Sequence, residues 1–293
     1  MRWLANLFAA LALAILGVAS ASAQEVVRSK QDKTSLSLIS EHAAVVPGDS
    51  FLVAANFDLD EDGWHVYWKN PGDSALPPEV RKWTLLEGVV AGGFKWPAPH
   101  AIPLATLMNY GYEHQVVFPM EFKVPASLKP GDSVTFTGDF DFLICQEICI
   151  PDAATISLTL PVEAATRIDD ASSALIANSP PTFAVPLAGS ARVKRTADGF
   201  QVAAVDPDLA EAAKTAKTIR FFPEGHEIIH AAPQKVRRGD QGVSFELKAN
   251  QQTLVAEATY ARGTPYATHL TRQVEILPAA NPDAAAYAPR AIL

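Results

Sequence analysis

Residues 134–160 read VTFTGDFDFLICQEICIPDAATISLTL. Apolar residues alternate with threonines at the start of this stretch and with serine and threonine at its end. A period of two is typical of half-buried antiparallel strands, whereas an amphipathic helix has a period of 3.6. We therefore predict a strand over 134–143 and a returning strand over 154–160, joined as a hairpin.

The same period recurs through the first half of the chain. Leu36 and Leu38 alternate with serines. Further runs of strand length lie at 51–57, 65–68 and 116–122. Short strands separated by turn residues are typical of an immunoglobulin-like sandwich, which we predict for residues 24–165.

The tetrapeptide Pro-Gly-Asp-Ser marks three turns. It begins at Pro47, Pro71 and Pro130. Proline has a fixed φ, and the glycine after it is free to take the positive φ that many tight turns require. The intervals are irregular, so we interpret the tetrapeptide as shared turn chemistry and not as a sequence repeat.

A second strand-rich block follows an aperiodic segment. Residues 166–186 mix serine, alanine, asparagine and proline, which predicts a linker. We predict a second, smaller β-sandwich over 187–278, with one short helix from Asp208 to Lys217, and a disordered tail over 279–293. The predicted strands of this block are Phe200–Val205, Ile219–Phe222, Val243–Leu247, Leu254–Tyr260 and Gln273–Leu277. The predicted fold class is all-β, with two immunoglobulin-like sandwiches in tandem.

Composition excludes two classes of protein. The 293 residues are 48% hydrophobic and carry a formal net charge of −8. A disordered chain would be less hydrophobic, and a nucleic-acid-binding protein would have a basic surplus. The length is that of two domains, and 22 prolines favour loops and edge strands over long helices.

The amino terminus has the pattern of a secretory leader. Arg2 precedes an apolar run from Trp3 to Val18, and Ala21-Ser-Ala23 follows as a cleavage pattern. We predict that residues 1–23 are a cleaved signal peptide. The alternative is an amino-terminal membrane anchor, but the apolar run is shorter than the roughly 18 residues that a spanning helix requires.

The sequence contains two cysteines, Cys145 and Cys149. Four residues of straight strand cover roughly 13 Å, whereas a disulfide joins Cα atoms about 4.4 to 6.8 Å apart. The backbone must therefore turn between the cysteines if they are bonded. We place both at the end of the predicted hairpin.

Three roles remain open for the pair. As a structural staple it would close a very short loop and stabilise little, because the gain in chain entropy grows with loop length. As a redox pair it would benefit from the strain of a short loop, which makes a disulfide easier to reduce. As a metal site it could hold Cu(I), which soft thiolates favour. Against copper, the predicted mature chain keeps only Met108 and Met120 as methionines.

The sequence around the cysteines is acidic. Between Lys129 and Arg167 there are six acidic residues and no Lys, Arg or His, which disfavours a thiolate. His65 or His114 could supply positive charge from a distance in sequence. The alternative for each is an exposed histidine or one buried in the core.

Aromatic residues offer a pocket and a lid. Alternation along residues 64–68 sends some of Trp64, His65, Tyr67 and Trp68 away from the core, where they could line a thiol pocket. Residues 109–113, Asn-Tyr-Gly-Tyr-Glu, have the composition of a turn and are the candidate lid. Packing in the core or in a turn is the alternative for both groups.

Several motifs together resemble one protein family. They are GWHVYWKNPGDS from Gly63, WPAP from Trp96, NYGYE from Asn109, CQEICIP from Cys145, and FFPEGH and AAPQ in the second block. In order and spacing they are similar to the periplasmic amino-terminal region of the DsbD thiol:disulfide interchange proteins, particularly the ScsB-like branch. The similarity spans most of the predicted mature chain.

This resemblance implies a role for each site residue. Cys145 and Cys149 would be the redox pair, with Cys149 forming the mixed disulfide with the acceptor. Residues 108–112 would be the family's cap, with Tyr110 as the preferred cap residue and Tyr112 beside it. His65 and Tyr67 would line the pocket. We assign no cofactor and no resident metal.

The resemblance also implies partners and a place in the cell. The domain would accept electrons from a membrane-embedded thiol reductase and pass them to a periplasmic thioredoxin-like oxidoreductase. Complete family members continue into a membrane domain and a thioredoxin-like domain, and this sequence contains neither. We therefore expect either a separate membrane protein as the electron donor or a different use of the sandwich.

Overall fold

The computed structural model describes residues 23–29, 33–59, 62–178, 189–250 and 276–278. The predicted signal peptide and tail, and the predicted strand at 254–260, lie outside these residues. The strands are β1 (Ala23–Gln24), β2 (Val26–Arg28), β3 (Thr34–Ser40), β4 (His42–Ala44), β5 (Ser50–Leu59), β6 (His65–Gly72), β7 (Glu79–Thr84), β8 (Val90–Ala91), β9 (His100–Leu104), β10 (Leu107–Glu113), β11 (Gln115–Lys123), β12 (Ser133–Cys145), β13 (Cys149–Pro161), β14 (Arg167–Ile168), β15 (Ser190–Arg195), β16 (Gly199–Val205), β17 (Ile219–Phe221), β18 (Lys235–Gly239), β19 (Gly242–Lys248) and β20 (Ile276–Pro278). The helices are α1 (Asp170–Asn178) and α2 (Pro207–Thr215).

The first structural unit is a sandwich of two antiparallel sheets. One sheet has the order β1-β13-β12-β6-β10-β9, with β7 also paired to β12, and the other has the order β2-β3-β5-β11-β8. Aromatic side chains fill the core between them, among them Phe57, Phe118 and Phe136. Alternate residues of β12 are buried, as the period of two requires. The mostly β fold and the immunoglobulin-like sandwich are confirmed.

All three Pro-Gly-Asp-Ser glycines have positive φ, as predicted. The values are 82° at Gly48, 89° at Gly72 and 101° at Gly131. At Gly72 a Cβ atom would also lie 2.2 Å from the carbonyl oxygen of Met108. Both the conformation and the close approach of β10 therefore require glycine at this position.

The structure differs from the predicted linker between residues 167 and 178. Strand β14 pairs with β4, and α1 packs on the first sandwich through Ile176, which contacts Ile39 and Val117. The side chain of Asp169 accepts a hydrogen bond of 2.9 Å from the N–H of Ser172 at the start of α1. This capping carboxylate and the buried isoleucine are the signals that the sequence analysis missed.

The second unit contains a four-stranded sheet of order β15-β16-β19-β18. Its core lies between this sheet and a layer formed by α2 and β17, where Phe221 meets Phe245. The predicted helix is confirmed as α2. The side chain of Asp206 accepts hydrogen bonds from the backbone N–H groups of Asp208 and Leu209, which fixes its first turn. Strand β20, which overlaps the end of the predicted strand at 273–277, pairs with β17.

The two units share a buried contact. The side-chain amide of Asn70 in β6 donates hydrogen bonds to the carbonyl oxygens of Pro223 and Gly225, at 2.7 and 3.0 Å. Phe222 is only 4% exposed and belongs to the core of the first unit. The second unit thus contacts the first directly at strand β6. Within the described part of the chain, no helix is long and apolar enough to cross a membrane.

Candidate disulfide site

Cys145 and Cys149 lie at the end of the β12–β13 hairpin, as predicted. They occupy directly opposite positions in the strand pairing, with their Cα atoms 4.1 Å apart, and form a disulfide of 2.04 Å. The N–H of Gln146 donates to the carbonyl oxygen of Ile148 at 3.1 Å, which closes the three-residue turn. Both strands extend further toward the cysteines than the sequence indicated.

The two cysteines differ in exposure. Cys145 is fully buried, while Cys149 is exposed. The difference follows from the sheet order, because β12 lies between β13 and β6, and Cys145 pairs with His65 of β6. Cys149 is therefore the more accessible of the two cysteines at the hairpin end.

His65 and Tyr67 lie against the exposed cysteine. Trp64, Val66 and Trp68 belong to the core, so alternation places His65 and Tyr67 on the opposite face of β6, as the sequence suggested. The Oη of Tyr67 is 3.5 Å from the Sγ of Cys149. Both His65 and Tyr67 are nevertheless buried.

A chain of polar contacts continues from Tyr67 through His65. The Nε2 of His65 is 3.1 Å from the Oη of Tyr67, and its Nδ1 is 3.2 Å from the carbonyl oxygen of Gly63. The two rings meet edge to face, with centroids 5.0 Å apart. The role of the Gly63 carbonyl has no signal in the sequence, because every residue has a backbone carbonyl.

Burial keeps both side chains neutral. It lowers the pKa of His65, and the hydrogen bond to Gly63 and the charge of Glu113 only partly oppose this effect. Burial also raises the pKa of Tyr67 to about 12. An uncharged imidazole and an uncharged phenol therefore lie beside the disulfide at neutral pH. His114, the other histidine considered as a source of charge, is exposed and lies 3.8 Å from the carboxylate of Asp62.

The predicted lid is a strand and not a turn. Residues 108–112 belong to β10, which pairs with β6 on one side and β9 on the other. At Gly111 a Cβ atom would lie 2.3 Å from the carbonyl oxygen of Val66. The glycine that suggested a turn is required instead by the close approach of two strands.

The two tyrosines of this segment are buried on either side of Gly111. Tyr112 donates a hydrogen bond of 2.6 Å to the carbonyl oxygen of Pro97. Tyr110 lies in the contact between the units, beside Phe222 and His230. A capping role for Tyr110 and Tyr112 stays a prediction of the resemblance.

A Cu(I) site was the third role left open for the two cysteines. Among the described residues, no group of three or more His, Cys, Asp or Glu side chains is placed to hold a metal ion. Both cysteine sulfurs are used in the disulfide, and His65 directs its Nε2 at Tyr67.

Comparisons with known proteins agree with this geometry. Residues 36–161 match the family model described as thiol:disulfide interchange protein DsbD, N-terminal. Among solved structures, the chain is similar to the N-terminal periplasmic domain of ScsB from Proteus mirabilis, with a TM-score of 0.54 and 15% sequence identity. That match covers 78% of this chain and 85% of the other, and at this identity it shows the fold alone. The search of curated proteins found no match.

Proposed function

Because residues 36–161 match the family model of the DsbD amino-terminal domain, we propose that this protein exchanges disulfides with partner thiols in the periplasm through Cys145 and Cys149. The observation that carries the proposal is the disulfide at the end of a hairpin, with one cysteine exposed and the other buried. A structural staple does not require either sulfur to be accessible. Thiol-disulfide exchange requires one sulfur that a partner can reach.

Exposure assigns the roles of the two cysteines. In thiol-disulfide exchange a thiolate attacks one sulfur of the bond, and the other sulfur leaves. Since Cys145 is fully buried, the attack occurs at Cys149 and Cys145 is the leaving group. Cys149 therefore forms the mixed disulfide, and Cys145 is the resolving cysteine.

Each cycle moves two electrons in two half-reactions, reduction of the cysteine pair by the donor and its oxidation by the acceptor. A donor thiolate attacks Cys149, the bond between the cysteines breaks, and the second donor thiol then releases Cys149, which leaves the pair as a dithiol. Cys149 next attacks the disulfide of the acceptor. Cys145 attacks the resulting mixed disulfide, so the original bond forms again and the acceptor departs with both electrons and both protons.

The proposed partners are a membrane-embedded thiol reductase as donor and a periplasmic thioredoxin-like oxidoreductase as acceptor. Support comes from the family match and from the shape of the hairpin end. Gln146, Glu147 and Ile148 are all exposed there, with Ile148 at 68%. A partner can therefore approach Cys149 without moving a strand.

Two experiments test the proposal. In the first, the full-length protein is equilibrated with mixtures of reduced and oxidised glutathione, and the thiol content is measured. We expect one two-electron transition, and failure to cycle at every accessible potential would refute the function.

The second experiment traps the partner. Cys145→Ser removes the resolving thiol, so a mixed disulfide through Cys149 should accumulate with a purified thioredoxin-like oxidoreductase and disappear on reduction. Cys149→Ser is the matched control, and it should trap little because its remaining thiol is buried. Equal trapping by the two variants would overturn the assigned roles.

A further inference from the structure

Cys149, Tyr67 and His65 form a continuous row of polar atoms that ends at a backbone carbonyl. The distances along the row are 3.5 Å from Sγ to Oη, 3.1 Å from Oη to Nε2, and 3.2 Å from Nδ1 to the carbonyl oxygen of Gly63. The exposed sulfur lies at one end, and the two side chains behind it are buried. The row therefore leads from the reacting atom into the protein.

The carbonyl of Gly63 fixes the tautomer of His65. A carbonyl oxygen only accepts hydrogen bonds, so Nδ1 carries the proton and donates it. In a neutral imidazole the other nitrogen, Nε2, is then an acceptor. The hydroxyl of Tyr67 then donates to Nε2, and the lone pairs of its oxygen are left to accept from Cys149 and from Ser74, whose side chain also hydrogen-bonds with Tyr67.

This orientation has a consequence when the disulfide is reduced. The sulfur of Cys149 then carries a proton, and the oxygen of Tyr67, 3.5 Å from this sulfur in the disulfide form, can accept it. All donors and acceptors in the row then point one way, from the thiol through the phenol to the imidazole. Such an arrangement can pass a proton along its whole length while the heavy atoms stay in place, because each donor gives up one proton and accepts another.

We propose that His65, acting through Tyr67, takes the proton of the Cys149 thiol when that sulfur attacks a partner disulfide. The inference rests on the proposed function and names how its attacking sulfur is activated. As the thiol proton moves to the oxygen of Tyr67, the phenolic proton moves to Nε2 of His65. The products are a thiolate, a neutral tyrosine and an imidazolium.

The proton balance closes within one exchange step. The thiolate of Cys149 forms a bond to one sulfur of the partner, and the S–S bond of the partner breaks. The proton held by His65 returns through Tyr67 to the partner sulfur that leaves. In the reverse direction the sulfur that leaves is Cys149, and it regains the proton by the same route.

Burial opposes a positive charge on His65, and the carboxylate of Glu113 offsets part of this effect during the transfer. Across the strand pair, Glu113 of β10 is the direct partner of His65, and its carboxylate favours the imidazolium. On the other side His65 faces Cys145 of β12, which is uncharged in the disulfide. The acidic sequence around the cysteines disfavours a thiolate. The base that makes the sulfur of Cys149 reactive is therefore His65, which lies outside the hairpin. Tyr67 is the catalytic residue in this scheme because it contacts the reacting sulfur, and His65 is a positioning residue that acts through it.

The test measures the rate at which the single thiol of the full-length Cys145→Ser protein reacts with oxidised glutathione between pH 5 and 10. Two further substitutions are made in this background. Tyr67→Phe removes the hydroxyl, and His65→Gln keeps a donor for Gly63 and an acceptor for Tyr67 but cannot take up a proton.

General-base catalysis contributes roughly a hundredfold or more where it operates, so we expect each substitution to lower the rate at pH 7 by at least about tenfold. At high pH the rates should converge, because the thiol is then ionised without help. His114→Gln, which changes an exposed histidine outside the row, should leave the profile unaltered. Superimposable profiles for the parent, Tyr67→Phe and His65→Gln would overturn the relay.

The same data separate failure of the relay from failure of the function. If the parent does not react with glutathione at any pH, the exchange function itself is wrong. If all variants react with one unchanged profile, the function stands and the relay does not. Circular dichroism of each variant checks that the substituted proteins are folded.

Discussion

The Oη of Tyr110 lies 3.2 Å from the Nδ1 of His230, which joins the two structural units by a buried hydrogen bond. The guanidinium of Arg220 lies over the Tyr110 ring at 5.9 Å, and Phe222 meets the same ring edge to face. Tyr110 belongs to β10, the strand that pairs with His65 and Tyr67 in β6. The second unit therefore contacts β10, which lies beside the strand that carries His65 and Tyr67.

Phe222→Ala should weaken the attachment of the second unit. The ring is buried among Trp68 and Tyr110, and loss of a buried phenylalanine destabilises a protein by about 3–5 kcal/mol. We expect a loss of about 3 kcal/mol in the free energy of unfolding by urea. The control is Leu76→Ala, at a side chain that is 66% exposed, which should change stability by less than about 0.5 kcal/mol. Equal effects of the two substitutions would contradict the buried contact.

Acid should destabilise the protein through its buried histidines. Burial lowers the pKa of His65, His100 and His230 in the folded state, so the unfolded chain binds more protons as the pH falls through about 6.5. Stability then rises with pH across the interval between the folded and the unfolded pKa and is fully present above it. Urea unfolding at pH 5 and pH 8 should give the lower free energy at pH 5.

The histidine contribution to this pH dependence can be isolated. His230→Gln should reduce the difference between the two pH values, whereas the exposed His114→Gln should not. A free energy of unfolding that is higher at pH 5 than at pH 8 would contradict the assignment.

Alkylation should distinguish the two cysteines after reduction. Cys149 is exposed and Cys145 is fully buried, so iodoacetamide should modify Cys149 at least about tenfold faster, since thiol reactivity follows access. Peptide mapping by mass spectrometry measures the two rates in one sample. In denaturant the rates should become similar, and preferential modification of Cys145 in the native protein would refute the exposure argument.

Gly111→Ala should disturb the pairing of β6 with β10. The added methyl group would lie 2.3 Å from the carbonyl oxygen of Val66. The backbones of β6 and β10 would have to move apart to make room for it. We expect a loss of about 1–3 kcal/mol from overpacking, together with slower reduction of the disulfide because His65 and Tyr67 lie on β6. Gly93→Ala is the matched control, since nothing lies within 4 Å of its added Cβ. A Gly111→Ala protein as stable as Gly93→Ala would show that the strands can separate without cost.

Local patterns were sufficient for the two strands of the cysteine hairpin and for the three Pro-Gly-Asp-Ser turns. The alternation in β12 and β13 depends only on which side chains face the core, and the three Pro-Gly-Asp-Ser turns depend only on backbone freedom. The hairpin position of Cys145 and Cys149 followed from the reach of four residues of chain. The helix predicted from Asp208 to Lys217 also depends on a pattern within a few residues, and it was confirmed as α2.

Residues whose role depends on a distant neighbour were harder to predict. Gly111 was interpreted as part of a turn because its sequence neighbours are those of a turn, but the carbonyl of Val66 decides its role. Residues 167–178 were interpreted as a linker because their own pattern is weak, and Ile176 is held by a face of the first sandwich that no local pattern reveals.

The sequence by itself determined the β architecture, the hairpin and the cysteine pair, because alternation, turn chemistry and chain reach act over a few residues. Only the tertiary structure decided which cysteine is exposed, that Tyr67 contacts its sulfur and His65 contacts Tyr67, and that the second unit contacts Tyr110. These relations join residues up to 120 positions apart, and burial and hydrogen bonding between them depend on how the sheets pack.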